Sequence, residues 1–168
     1  KENLENFRKT GDTSDVMPHY FGKYPFNRFA QNLIYALSPG FELAMFSIIQ
    51  YWLFEKYLSP FQNVYEFGCG TGHNLLRLRE VNPDADLWGL DWVDASVNLI
   101  QKTGEKRNDR KLFGHKFDFF NPDCNFHLKP QSAIYTIAAL EQTGGNYHAF
   151  VDYLIKEKPA LCLHIEPI

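Results

Sequence analysis

Two periods of apolar and polar residues divide the chain near residue 60. Before it, Phe41, Met45, Ile48, Ile49 and Trp52 recur at helical spacing, which predicts a helix over 41–57. Pro39 can open that helix and Ser59-Pro60 can close it. After it, "NVYEF", "ADLWGLD", "KLFGHKFDFF", "SAIYTIAA" and "ALCLHIEPI" read as five strands, the fourth apolar enough to be buried on both faces. Helices fall between them. "NLLRLREV" ends at Asn82-Pro83, and "SVNLIQKT", capped by Asp94 or Ser96, stops at Gly104. A third helix, capped by Asn146, puts Tyr147, Phe150, Val151, Leu154 and Ile155 on one side and ends at Pro159.

Strands and helices alternating at these lengths imply an α/β domain, a parallel sheet covered on both faces, with its ligand at the carboxyl ends of the strands. Residues 1–60 then form a helical N-terminal extension or lid, and residues 61–168 the core. Lys1–Ser14 are polar, and Met17–Asn32 hold Pro, Gly and five aromatics.

Composition narrows the partners. The 168 residues are 45% apolar and 16% aromatic, which suits one globular domain. Net charge is −3, and the nearest approach to a basic stripe, "KTGEKRNDRK", is broken by Glu105 and Asp109, so no nucleic-acid partner is expected. The apolar run Phe41–Phe54 contains Glu42 and Gln50 and is too short to span a bilayer, so no membrane partner is expected either. Three cysteines, Cys69, Cys124 and Cys162, without CxxC, fit a reducing, cytoplasmic setting. No His, Cys and carboxylate cluster has metal spacing, so no metal is expected.

The chemistry gathers in "YEFGCGTGHN", where Gly68, Gly70 and Gly72 alternate. A dinucleotide loop reads GxGxxG. Here the third glycine comes one residue early, and His73 stands in its place. Glu66 precedes the loop, and Asp91 ends the second strand. This ExGxGxG pattern with its following acid resembles the class I S-adenosylmethionine-dependent methyltransferases over about residues 60–168. The resemblance implies a Rossmann-like, doubly wound, mostly parallel sheet, with S-adenosyl-L-methionine as cofactor and S-adenosyl-L-homocysteine as product. Two further strands usually follow the fifth in that family, so the sheet is expected to look cut short here.

The resemblance also implies roles. Glu66 would lie near the methionine moiety, adding negative charge where a pyrophosphate would be repelled. Gly68 and Gly70 would let main chain approach the ligand without a Cβ in the way, with Cys69, Gly72 and Asn74 completing the loop and the start of its helix. Asp91 can accept both ribose hydroxyls, a role NAD enzymes share. Trp92 would pack on adenine, or simply in the core. Asp118 and the Phe119 backbone would meet the adenine edge, Asp118 otherwise being a turn former. Thr136 to Ala139 would line the methionine side, with Ala138 small enough to leave room.

Methyl transfer to a small-molecule acceptor, at oxygen, is the function this implies. Base candidates follow the fourth and fifth strands: Glu141 first, then His148 and Glu166; His164 reads better as a core histidine. Tyr20, Phe21, Tyr24 and Arg28 are expected to help form the acceptor pocket, or to bury the extension. A homodimer would use the extension or the open sheet edge. The rivals are an NAD(P)-binding oxidoreductase and a non-catalytic S-adenosylmethionine-binding module.

Overall fold

A computed structural model describes residues 22–166; Tyr20 and Phe21 lie outside them. An antiparallel hairpin comes first, β1 (Phe26–Phe29) and β2 (Asn32–Tyr35), in a segment where no strand was expected. Ala30 and Gln31 turn it with positive φ, 47° and 67°. Helix α1 (Phe41–Leu53) follows and runs into one π-helical turn, Phe54–Leu58, ending at Ser59 as the sequence predicts.

Five parallel strands make the main sheet: β3 (Asn63–Phe67), β4 (Asp86–Asp91), β5 (Leu112–Lys116), β6 (Ala133–Ile137) and β7 (Leu161–Ile165). Their order is β5-β4-β3-β6-β7. The order reverses between β3 and β6, which creates the crevice where doubly wound sheets bind ligands. Helix α2 (His73–Val81) follows β3, α3 (Asp94–Arg107) follows β4, and α4 (His148–Glu157) precedes β7.

Alternate strand residues feed two cores. Val64, Leu87 and Tyr135 pack with Leu75 and Leu78 of α2, Leu99 and Ile100 of α3, and Phe54 and Leu58 of the π-helical turn. Tyr65, Phe67, Leu90 and Ile134 pack on the other face with Phe117, Phe150 and Tyr153. Burying Phe54 and Leu58 fully is worth about 1.5–3 kcal/mol each, enough to seat the end of the extension in the core. The buried line of this helix is Gln50, Phe54 and Leu58, while Ile48, Ile49 and Trp52 of the apolar stripe face outward.

Helix α3 does not stop at Gly104 but continues to Arg107, closed by Asn108 at φ 52°. Gly104 serves packing instead: a Cβ there would lie 3.1 Å from the Asp109 carbonyl oxygen and 3.2 Å from that of Leu112. The expected side-chain caps are absent too: Val93 and Tyr147 occupy the cap positions of α3 and α4, and neither makes a capping bond.

Candidate functional site

Three glycines shape the loop after β3, for two different reasons. All have positive φ: 75° at Gly68, 53° at Gly70 and 79° at Gly72. A Cβ at Gly72 would fall 2.0 Å from Ile100 Cδ1, and one at Gly68 would fall 2.4 Å from the Ala139 Cβ. At Gly70 a Cβ would meet nothing within 4 Å. Close packing therefore requires Gly68 and Gly72, and Gly70 alone turns its bare face to open space.

That space has two lobes. The first, of about 460 Å³, is lined by Cys69, Thr71, His73, Asn74, Ala138 and Glu141 among others. The second, of about 490 Å³, is lined by Asp91, Trp92, Asp118, Phe119, Phe120 and Thr143 among others. Gly68, Gly70 and Gln142 border both. A larger depression, of about 540 Å³, lies along β5 and the end of α3 and holds none of the expected site residues.

Four of the loop's N–H groups are already spent. Gly68 and Cys69 donate to the Leu90 carbonyl at 2.8 and 3.0 Å, and Gly72 donates to the Cys69 carbonyl at 2.8 Å. Gly70 donates to Asp91 Oδ2 at 2.8 Å, and Val93 N–H donates to Oδ1 at 2.9 Å. Asp91 thus fastens the loop, and a carboxylate's roughly four acceptor sites leave two for a ligand. Neither lobe is lined by Lys or Arg; the charged lining residues are the acids Glu141, Asp91 and Asp118.

Glu66 is fully buried and lines neither lobe. Its Oε1 accepts from Asn74 Nδ2 at 2.6 Å and its Oε2 from the Tyr135 hydroxyl at 3.0 Å. Burial pushes its carboxyl up to about 8 despite those two donors, and Asp91 pushes the same way. Glu66 therefore meets the first lobe through Asn74, which bonds it and lines that lobe. Asn74 in turn accepts from Gln50 Nε2 at 2.6 Å, and Arg77 donates to Gln50 Oε1.

The far wall follows β6. Thr136 is buried, and its hydroxyl donates to Glu166 Oε1 at 2.6 Å, with His164 Nδ1 2.8 Å away. Glu166 also accepts from three backbone N–H groups, those of Ala139, Leu140 and Glu141, at 3.0, 3.3 and 3.2 Å. A carboxylate so engaged is a clamp. It holds a turn in which Ala138 has a φ of 48°, unusual without glycine. Thr136 and Glu166 line neither lobe.

The remaining expected residues divide. Asp118, its Oδ1 accepting from Phe120 N–H at 2.9 Å, lies in the second lobe with Trp92 and Phe119. Trp92 is 69% exposed, so it is not core packing. His148 is exposed at the start of α4, against the Tyr147 ring, and lines neither lobe. Tyr24 and Arg28 are exposed in and beside the hairpin and line neither lobe. Sequence reasoning missed His73, Gln142, Phe120 and Thr143 as lining residues. His73 carried a signal, since it fills the dinucleotide glycine's place; it is buried, and desolvation takes it down to about 4, so its ring is neutral.

No protein-family model and no curated protein sequence matches this chain. Solved structures do. The O-methyltransferase from a Brevibacillus brevis trans-AT PKS multienzyme, in complex with S-adenosyl-L-homocysteine, superposes with a TM-score of 0.54 at 20% identity, over 68% of this chain and 37% of that one. The plantazolicin methyltransferase BpumL, in complex with a pentazolic desmethylPZN analogue and S-adenosyl-L-homocysteine, gives 0.51 at 16% identity, over 70% and 44%. PKMT2 from Rickettsia typhi gives 0.49 at 18% identity, over 64% and 22%. The chain thus spans less than half the length of these structures. No helix among the described residues is long and apolar enough to cross a membrane. With its five parallel strands in the order β5-β4-β3-β6-β7, the chain has the Rossmann-like fold of the class I S-adenosylmethionine-dependent methyltransferases.

Proposed function

We propose that this chain binds S-adenosyl-L-methionine and transfers its methyl group to a small-molecule acceptor at oxygen. One observation carries the cofactor choice. The loop N–H groups of Gly68, Cys69, Gly70 and Gly72 are all paired within the protein, and neither lobe is lined by a cation. A pyrophosphate needs free donors or positive charge. S-adenosyl-L-methionine has no pyrophosphate, and its ammonium and sulfonium outweigh its one carboxylate, so a cation-free, acid-lined crevice suits it better.

The residues fit such a group. Asp91 has acceptor capacity for ribose hydroxyls, Trp92 and Phe119 offer ring faces in the second lobe for adenine, and Asp118 stands beside them. The open face of Gly70 joins this lobe to the first, where Asn74, Ala138 and the acid at 141 suit a methionine end with its ammonium. The cofactor, when bound, supplies an electrophilic methyl on a sulfonium. The protein's part is to align the acceptor, worth up to roughly 7–11 kcal/mol, and to take its proton. Glu141 is the best-placed base: it is exposed at the first lobe, and its side chain is free of the clamp that occupies Glu166.

Calorimetry with S-adenosylhomocysteine and with NAD tests the cofactor. Binding of the first and not the second is expected; the reverse would end the proposal. Turnover on a panel of phenols, carboxylic acids and amines then tests the acceptor. Binding without turnover of any would favour the non-catalytic module.

A further inference from the structure

Gln50 belongs to the N-terminal extension, yet it is fully buried, and its side chain is hydrogen-bonded to two residues of α2, Asn74 and Arg77. Its neighbours form a directed chain. Arg77 donates to Gln50 Oε1, Gln50 Nε2 donates to Asn74 Oδ1, and Asn74 Nδ2 donates to Glu66 Oε1. Every N–H points the same way, from the partly buried guanidinium toward the buried carboxylate, and such chains polarise each link. The direction is not free. An asparagine amide turned over would set its NH₂ against the Gln50 NH₂, donor against donor, and its oxygen against Glu66, which could meet it only while holding a proton on Oε1. Buried so, a donor left without an acceptor loses the hydrogen bonds it had in water and gains none in return. Arg77, which can only donate, fixes the orientation of Gln50, and Gln50 fixes that of Asn74.

We propose that Gln50 is a positioning residue of the cofactor site: it sets the orientation of the Asn74 amide, and thereby the hydrogen bond that holds the Glu66 carboxylate behind the first lobe. The extension is then part of the site's machinery and not only a cover. This rests on the cofactor reading for its consequence, but its physical content, the coupling of Gln50 to Glu66, does not need a ligand. Other groups facing Glu66 are Tyr135 from β6, Asp91 from β4 and the Cys69 thiol of the loop, and Gln50 contacts none of them by hydrogen bond.

The test is a titration of the Glu66 carboxyl by carbon-detected NMR in the ligand-free, full chain, with Gln50→Met and Gln50→Glu. Gln50→Met cuts the chain without adding charge, so Asn74 is no longer held. The Glu66 midpoint should rise by about half a pH unit or more. In Gln50→Glu the new carboxylate only accepts, so Asn74 must turn its NH₂ toward it and offer oxygen to Glu66. That contact survives only while Glu66 keeps its proton, and the midpoint should rise by one unit or more. Affinity for S-adenosylhomocysteine should fall about tenfold in both. An unchanged midpoint in folded Gln50→Met overturns the inference whatever Gln50→Glu does; if Gln50→Met does not fold, Gln50→Glu decides alone. A wild-type protein that ignores S-adenosylhomocysteine would overturn the cofactor reading and leave the titration result standing.

Discussion

A Cβ built on Gly68 would lie 2.4 Å from the Cβ of Ala139. The turn after β3 and the turn after β6 therefore meet with no room for one more methyl group, and this contact closes the crevice at its floor. Ala139 is held from its own side, since its N–H donates to Glu166 Oε2 at 3.0 Å.

Gly68→Ala and Gly70→Ala should fail in different ways. Alanine at 68 meets both a φ of 75° and the Ala139 methyl, and should cost about 2–5 kcal/mol of stability. Alanine at 70 meets a φ of 53° but no atom within 4 Å, and should cost only about 1–2 kcal/mol. Its methyl would instead enter the space between the lobes and weaken S-adenosylhomocysteine binding tenfold or more. Denaturant melts beside calorimetry separate the two; equal stability losses would show that the contact with Ala139 is not real.

Asp91→Ala should weaken S-adenosylhomocysteine binding by at least about 1 kcal/mol. It removes the acceptor for ribose and frees the Gly70 N–H that now donates to Oδ2 at 2.8 Å. Asp91→Asn keeps one acceptor oxygen and should lose less. Unchanged affinity in the alanine variant would take Asp91 out of the site.

How far the sequence disclosed this arrangement depends on whether a residue's role is local. Glycines at a strand end, an acid after the next strand and a hydrophobic period all act on near neighbours, so the sheet, the loop and Asp91 were legible. The hairpin was not: its turn residues are Ala30 and Gln31, neither of which signals positive φ. Gln50 interrupts an apolar run and reads as a defect until α2 supplies Asn74 and Arg77 as partners. Glu166 looked like a base because a strand-end acid often is one. Only the tertiary fold brings three N–H groups of the neighbouring turn and the Thr136 hydroxyl to it.

Glu141 and Glu166 can be told apart by kinetics. Glu141→Gln should lower kcat by about 10²-fold or more with S-adenosylhomocysteine affinity unchanged, as expected of a base. Glu166→Ala should instead loosen the turn it clamps, since the N–H groups of Ala139, Leu140 and Glu141 all lose an acceptor. Cofactor affinity and thermal stability should then fall together. Full kcat in Glu141→Gln would exclude Glu141 as the base.

Glu66 makes the sharpest pH prediction. Its carboxyl rises from the usual carboxylate value of 4.5 to about 8 because burial disfavours its charge. Between those values the folded chain holds a proton that the unfolded chain has released. The stabilisation is thus complete below about 4.5 and is lost as pH climbs through about 8. His73 works the other way. Its folded value of about 4 lies below the ordinary 6.5, so stability falls as pH drops through that interval. Comparing wild type with Glu66→Gln at each pH cancels His73. The glutamine can still accept from Asn74, and the Tyr135 hydroxyl can accept from its amide, so the variant should fold. Its stability relative to wild type should rise between pH 5 and 8.5, by on the order of 4 kcal/mol. The sulfonium of S-adenosyl-L-methionine, beside its ammonium, favours ionised Glu66, so wild type should release a proton on binding S-adenosyl-L-methionine at pH 7, and Glu66→Gln should not. Calorimetry in two buffers of different ionisation enthalpy measures that proton. Equal release from both proteins would mean that the ligand's charge never reaches Glu66.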